Sequence, residues 1–195
     1  MRTASSISAA LAVVVLATGA LAGPIDQIRQ YGDQVVKVLE DPGLRGPDRR
    51  LERRAAVRRI AIEIFDLGET AKRALGRHWQ ARTEAEREEF VRLFAELLES
   101  AYLSKIDFYG GEKLRYVGES IDGDHAIVRG RVATKQGTEV PVDARMLRRG
   151  ERWLIYDVTI ENVSLIGNYR AQFDRIIRAS SYEELVKRLQ AKREE

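Results

Sequence analysis

The chain has 195 residues, with 33 lysines and arginines against 30 aspartates and glutamates, two histidines and no cysteine. A formal charge of +3 is too nearly balanced for a nucleic-acid binder, and the lack of thiols excludes disulfides and thiolate zinc sites. The length suits one substantial core and is short for two.

The opening "MRTASSISAALAVVVLATGALAG" sets one basic residue, Arg2, before an apolar run centred on Ala9–Ala17, with small residues at Ala20 and Ala22. That is the layout of a secretory signal peptide, expected over residues 1–22 with cleavage after Ala22. Ser5, Ser6 and Ser8 shorten the run below the length of a membrane span. The remainder, 23–195, is expected to be one exported domain: a mainly helical part over 23–107, a sheet over 113–161 and closing helices over 164–195.

Pro24 suits the first turn of a helix, and Ile28, Val35 and Leu39 form its stripe up to the break "DPGLRGP" at 41–47. A second helix is expected from about Asp48 into "AIEIF", with Leu51, Ala55, Ile62 and Phe65 on one face. Arginine crowds this region: Arg45, Arg49, Arg50, Arg53, Arg54, Arg58 and Arg59 stand against Asp48 and Glu52. Such a block is ordinarily a solvated helix face; as a functional feature it would meet an anionic surface or an acidic partner. "GETAKRALG" makes a third helix ending at Gly76, a residue suited to a left-handed cap. Thr83 and Glu86 form a capping box for a fourth helix. Phe90, Phe94, Leu97, Leu98, Ala101 and Tyr102 mark its apolar face, and its end is expected near Asp107.

The period then changes from helical to alternating. "KLRYVGES", "DHAIVRGRVAT", "TEVPVDARMLRR" and "RWLIYDVTIEN" are four strands separated by short turns, which predicts an antiparallel meander. Ala126, Val128, Gly130 and Val132 share one face of the second strand, and Val140, Val142, Ala144 and Met146 one face of the third. These side chains are small, which leaves room for a cavity, although the pattern also fits a densely packed sheet. In the fourth strand Trp153 and Ile155 are expected on one face, with Leu154, Tyr156, Val158 and Ile160 on the other. "LIGNYRAQFDRIIRA" and "YEELVKRLQ" close the chain as helices, the second with Ser181 and Glu184 as a capping box. The fold class is α+β: a twisted antiparallel four-stranded meander with helices N-terminal and C-terminal to it.

No catalytic or metal-binding pattern in the sequence is strong. His78 and His125 have no second ligand at metal-site spacing, and Glu139 and Asp143 lie on the charged side of a strand. The "GG" at 110–111 opens no helix and is no phosphate loop. Asp157, beside Tyr156 on an apolar strand, is either a base held in a pocket or a structural hydrogen-bond acceptor.

"YDVTIENVSLIGNYRAQF" (156–173) resembles the signature of the MlaC family, periplasmic phospholipid carriers also called toluene-tolerance auxiliary proteins. "FDLGETAKRALGRHW" (65–79) and "EREEFVRLFAELLESAY" (86–102) look like that family's other recurring blocks, in the same order. The resemblance covers essentially all of 23–195. One departure is Glu161-Asn162, where relatives often carry a glycine; Asn tolerates the same left-handed backbone.

The resemblance implies a soluble periplasmic shuttle that carries phospholipid between inner and outer membranes, with the acyl tails in an apolar cavity between sheet and helices. The implied partners are an inner-membrane ABC transporter complex with a membrane-anchored lipid-binding subunit, an outer-membrane lipoprotein complex, and transiently the membrane surface. No cofactor is implied beyond the cargo, and no catalysis. With the family in view, the candidate cavity residues are Leu98, Tyr102, Val128, Val132, Val142, Met146, Tyr156, Val158, Leu165 and Tyr169. Arg49, Arg50, Arg53 and Arg54 are candidates for docking. In "ENVSLIGNYRAQF" the apolar set Val163, Leu165, Ile166, Tyr169 and Phe173 is expected to face the cavity or its adjoining core, with Asn168 and Arg170 fixing the turn by hydrogen bonds. Alternatives are a hopanoid-like lipid carrier, an envelope adaptor without lipid, and a cavity enzyme using Asp157.

Overall fold

The structure, a computed structural model, describes residues 22–134 and 137–192. The expected leader, residues 1–22, lies outside these except for Ala22. Helix α1 (Pro24–Glu40) starts on its proline and stops at Asp41, whose carboxylate accepts from Gly43 N at 2.8 Å and caps the 3-10 turn Pro42–Leu44. Helix α2 (Arg50–Ile64) follows a second such turn, Pro47–Arg49. Helix α3 (Leu67–Leu75) is capped by Asp66, whose side chain accepts from Glu69 N, and ends at Gly76 with φ 57°. Only glycine adopts that backbone without strain.

Helix α4 (Glu84–Leu103) begins with the expected reciprocal box: Thr83 N donates to Glu86 Oε2 at 2.7 Å and Glu86 N to Thr83 Oγ1 at 3.3 Å. A 3-10 turn, Ser104–Phe108, carries it into the sheet. Helices α5 (Leu165–Ala179) and α6 (Tyr182–Ala191) close the chain. Half of the expected box at α6 is present, with Glu184 N donating to Ser181 Oγ at 3.2 Å; the Glu184 carboxylate binds Arg188 instead.

The sheet is an antiparallel meander in the order β1-β2-β3-β4-β5. Its strands are β1 (Lys113–Asp122), β2 (His125–Ala133), β3 (Glu139–Arg149), β4 (Arg152–Ile160) and β5 (Val163–Ser164). The fifth strand corrects the four-stranded expectation. It forms because Glu161 and Asn162 both adopt left-handed backbone, φ 49° and 66°, making a two-residue hairpin that pairs Ile160 with Val163.

The expected phase of β2 and β3 agrees with the register, which pairs Ala126 with Met146, Val128 with Ala144, and Val132 with Val140. In β4 it does not. Ile155 lies opposite Met146 and Asp157 opposite Arg145, so Tyr156 is the extra residue of a bulge. The bulge puts Trp153, Ile155 and Val158 against the same core, where simple alternation separates Val158 from the other two.

Apolar burial divides into two clusters. One, on the sheet, joins Ile28 of α1 and Ile64 of α2 to Ala126, Val128, Met146, Trp153 and Ile155. The other, among α3 to α6, centres on Ala74, Leu75, Phe90, Leu93, Phe94, Ile166, Phe173 and Leu185. Polar groups bridging the chain are satisfied from side chains: Gln27 Oε1 accepts from Trp153 N at 2.8 Å, and Thr70 Oγ1 donates to Tyr156 O at 3.2 Å.

Candidate functional site

The sheet-to-helix junction is organised by Asp157. Its carboxylate is buried and accepts from the Ser164 hydroxyl at 2.6 Å and from Ile166 N at 3.0 Å. Ser164 is the N-cap of α5, accepting from Gly167 N at 2.8 Å. Both Asp157 oxygens are therefore engaged in holding a helix start, where a carboxylate also meets the positive end of the helix dipole. The structural alternative for this residue is the one observed. Asn168 and Arg170, expected to fix the turn, do not: Asn168 is exposed and accepts only from Gln172 one turn on, and the Arg170 stem lies along Gly76.

Helix α5 turns its aromatics into the helical cluster. Tyr169 and Phe173 meet Phe94 edge-on, with ring centroids 5.1 and 5.3 Å away. Burial pushes the Tyr169 phenol up to about 12, assisted by the neighbouring Tyr102 hydroxyl. Val163, expected on the same apolar face, is 63% exposed.

The ten candidate cavity residues do not form one continuous lining. Val128, Met146 and Val158 belong to the sheet-side cluster, whereas Leu98, Leu165 and Tyr169 pack on the helical one. Val132 and Val142 are half-buried farther along the sheet face. There Gly130 lets strand and side chain approach closely, since a Cβ at 130 would come within 2.7 Å of Leu114 Cδ1. Leu114 and Ile160, 42% and 44% exposed, leave that end of the face open. Tyr102 is exposed. Tyr156 departs from the group: the Arg73 guanidinium stacks 3.9 Å over its ring, which places it with α3. Surface depressions elsewhere are lined by other residues, one of them by Leu39, Arg45, Arg53, Ile106, Asp107 and Tyr109 among others.

Of the four docking candidates, two turn inward. Arg53 donates to Leu44 O at 3.0 Å and to Asp107 Oδ1 at 2.9 Å, and Arg54 donates to Asp107 Oδ2. Burial pushes the Asp107 carboxyl up, but the hydrogen bonds from Arg53 and Arg54 outweigh it and hold it below the usual carboxylate range. This clamp fastens the Ser104–Phe108 turn to α2, and sequence reasoning missed it because its partners are more than fifty residues apart. Arg49 is paired with Glu52 at 2.8 Å, and Arg50 is exposed. Among the described residues no cluster of three or more metal-ligating side chains occurs, and no helix is long and apolar enough to cross a membrane.

A five-stranded meander with helices gathered against it defines an α+β class shared with a solved phospholipid-binding protein from Ralstonia solanacearum, determined in complex with a phospholipid. The two match with a TM-score of 0.73 at 22% identity, covering 86% of this chain and 94% of that one. The family model described as MlaC protein matches residues 29–191, and the chain belongs to that family. It is also 23% identical over 142 residues to the intermembrane phospholipid transport system binding protein MlaC of Haemophilus influenzae. That match covers 70% of this chain and 66% of the relative, just under two thirds of its length.

Proposed function

We propose that this chain is a non-enzymatic phospholipid carrier of the bacterial periplasm. In this reading it moves lipid between the inner and outer membranes as the soluble component of an ABC-type transport system. Its partners are an inner-membrane transporter complex with a membrane-anchored lipid-binding subunit and an outer-membrane lipoprotein complex. The observation that carries the proposal is the fold shared with a protein that holds a phospholipid, joined to an apolar sheet face that ends in Val132, Val142, Leu114 and Ile160 with part of its surface open.

The energetics require a carrier rather than free diffusion. Each methylene moved out of water is worth about 0.8 kcal/mol, so two acyl chains with roughly 28 methylenes cost about 22 kcal/mol to expose. An apolar site nearly as good as the bilayer keeps loading and unloading close to balance. A site that left four methylenes wet would lose about 3 kcal/mol. In this reading the tails lodge between sheet and helices, against the apolar face that stays open at Val132, Val142, Leu114 and Ile160. Asp157 has no catalytic part in this scheme, because both its oxygens are committed to the α5 start.

The reading is tested by incubating the protein with vesicles containing labelled phospholipid and re-isolating it. The native chain takes up label, and Val142→Trp, which fills the half-buried end of the face, takes up several-fold less while melting within a few degrees of the native chain. Equal uptake by both would place the tails elsewhere; no uptake by the native chain would remove the carrier reading.

A further inference from the structure

The sheet has a second face, and its charge is only partly compensated from within. Strand β2 turns Val128 and Val132 towards the core side and Arg129 and Arg131 the opposite way. The register sets Arg131 directly opposite Arg115 of β1, and places Arg145 of β3 opposite Ile127. Like charges facing each other across a ladder destabilise it. Arg115 is relieved by both oxygens of Glu139, at 2.9 and 3.0 Å. Arg129 reaches only the Ser120 hydroxyl, at 3.4 Å. Among the described residues, Arg129, Arg131 and Arg145 make no ion pair, although Asp122 shares their face, Asp143 stands directly opposite Arg129, and Asp157 stands opposite Arg145 with its oxygens turned to the start of α5.

The chemistry of the missing counter-charge follows from what else this face holds. Protein interfaces are depleted in charge at their centre and anchored by buried aromatics. Here the aliphatic side chains, Ile127 and Leu147, are already half-buried and no aromatic accompanies them. A pleated face with forked guanidinium groups instead matches a plane of phosphates, which guanidinium binds bidentately.

We propose that the outer face of β1–β3 docks on an anionic phospholipid surface through Arg129, Arg131 and Arg145. The proposal rests on the carrier reading for the choice of partner, since a carrier must approach a bilayer to exchange cargo, but its readout is independent of cargo.

The test is co-sedimentation of the purified protein with phosphatidylcholine vesicles, with and without phosphatidylglycerol, at low and high ionic strength. A basic residue near an anionic surface contributes about fivefold to partitioning. Binding should therefore require phosphatidylglycerol, weaken with salt, and fall at least tenfold in R129E/R131E/R145E. R129Q/R145Q removes two exposed charges without reversing them, and should bind at an intermediate level with an unchanged melting temperature. R49E/R50E, on the other basic segment, should bind as the native chain does.

Binding of the triple variant equal to native would overturn the proposal, as would native binding indifferent to phosphatidylglycerol or loss of binding in R49E/R50E alone. Native protein that ignores vesicles, yet binds an acidic envelope protein through these arginines, would replace the lipid surface with a protein. Native mass spectrometry before and after the vesicles separates the two readings: protein that binds vesicles but is bare and takes up no lipid sinks the carrier and leaves the docking face standing.

Discussion

The Ser164 hydroxyl donates to Asp157 Oδ2 at 2.6 Å and accepts from Gly167 N at 2.8 Å. One side chain thus passes the end of the sheet to the start of the last long helix. Removing Ser164 as Ser164→Ala deletes a cap and should cost about 1 kcal/mol. Asp157→Ala also strands the buried Ile166 N–H, and should cost about 2–3 kcal/mol. Urea unfolding of both variants checks the order; equal losses would mean that the carboxylate contributes nothing beyond the cap.

Tyr169 is held in the helical cluster by its ring, and its hydroxyl is influenced by that of Tyr102. Tyr169→Ala should therefore cost about 2–3 kcal/mol, through lost packing and a cavity. Tyr169→Phe should lose less than half of that. The phenol's raised pKa sets a further signature. Its folded value, about 12, lies above the unfolded value near 10. Its contribution to stability is thus complete below about pH 10 and lost as pH rises towards 12. Melting temperatures measured across that window should fall less steeply in Tyr169→Phe than in the native chain.

The clamp at Asp107 acts at the opposite end of the scale. Its carboxyl is held below the usual range, so its contribution is present above about pH 4 and disappears as pH falls through the lower folded value. Asp107→Asn should be less stable at neutral pH and show a flatter loss in acid. Amide exchange should rise first in the Ser104–Phe108 turn, which the clamp fastens to α2. Native-like exchange there in the variant would mean that the turn is held by packing alone.

Glu161 occupies left-handed backbone, φ 49°, with a long side chain that gains nothing from it. Glu161→Gly should stabilise the protein by about 0.5–1 kcal/mol by relieving that strain, partly offset by a more flexible unfolded chain. A thermal melt decides the sign.

Local chemistry was the most legible part of the fold. The proline start of α1, the Thr83–Glu86 box, Gly76 and the inward phase of β2 and β3 all depend on residues a few positions apart. The departures arose where that locality fails. A bulge at Tyr156 reset the alternation of β4, and a hairpin without glycine added β5. The roles given to Asn168 and Arg170 went to Asp157, seven residues before the Ser164 it binds. The Arg53–Asp107 and Arg54–Asp107 pairs cross most of the helical half, and no spacing rule points to them. The candidate cavity residues divide between two apolar clusters, and which side chain belongs to which depended on how α4 and α5 pack among the other helices, which no local spacing shows.

The most direct measurement is native mass spectrometry of the protein as purified, followed by organic extraction of what it carries. The carrier account predicts a mass excess of about one phospholipid, released on denaturation and recovered as an intact two-chain lipid. Protein of bare mass that also takes up no lipid from vesicles would contradict it.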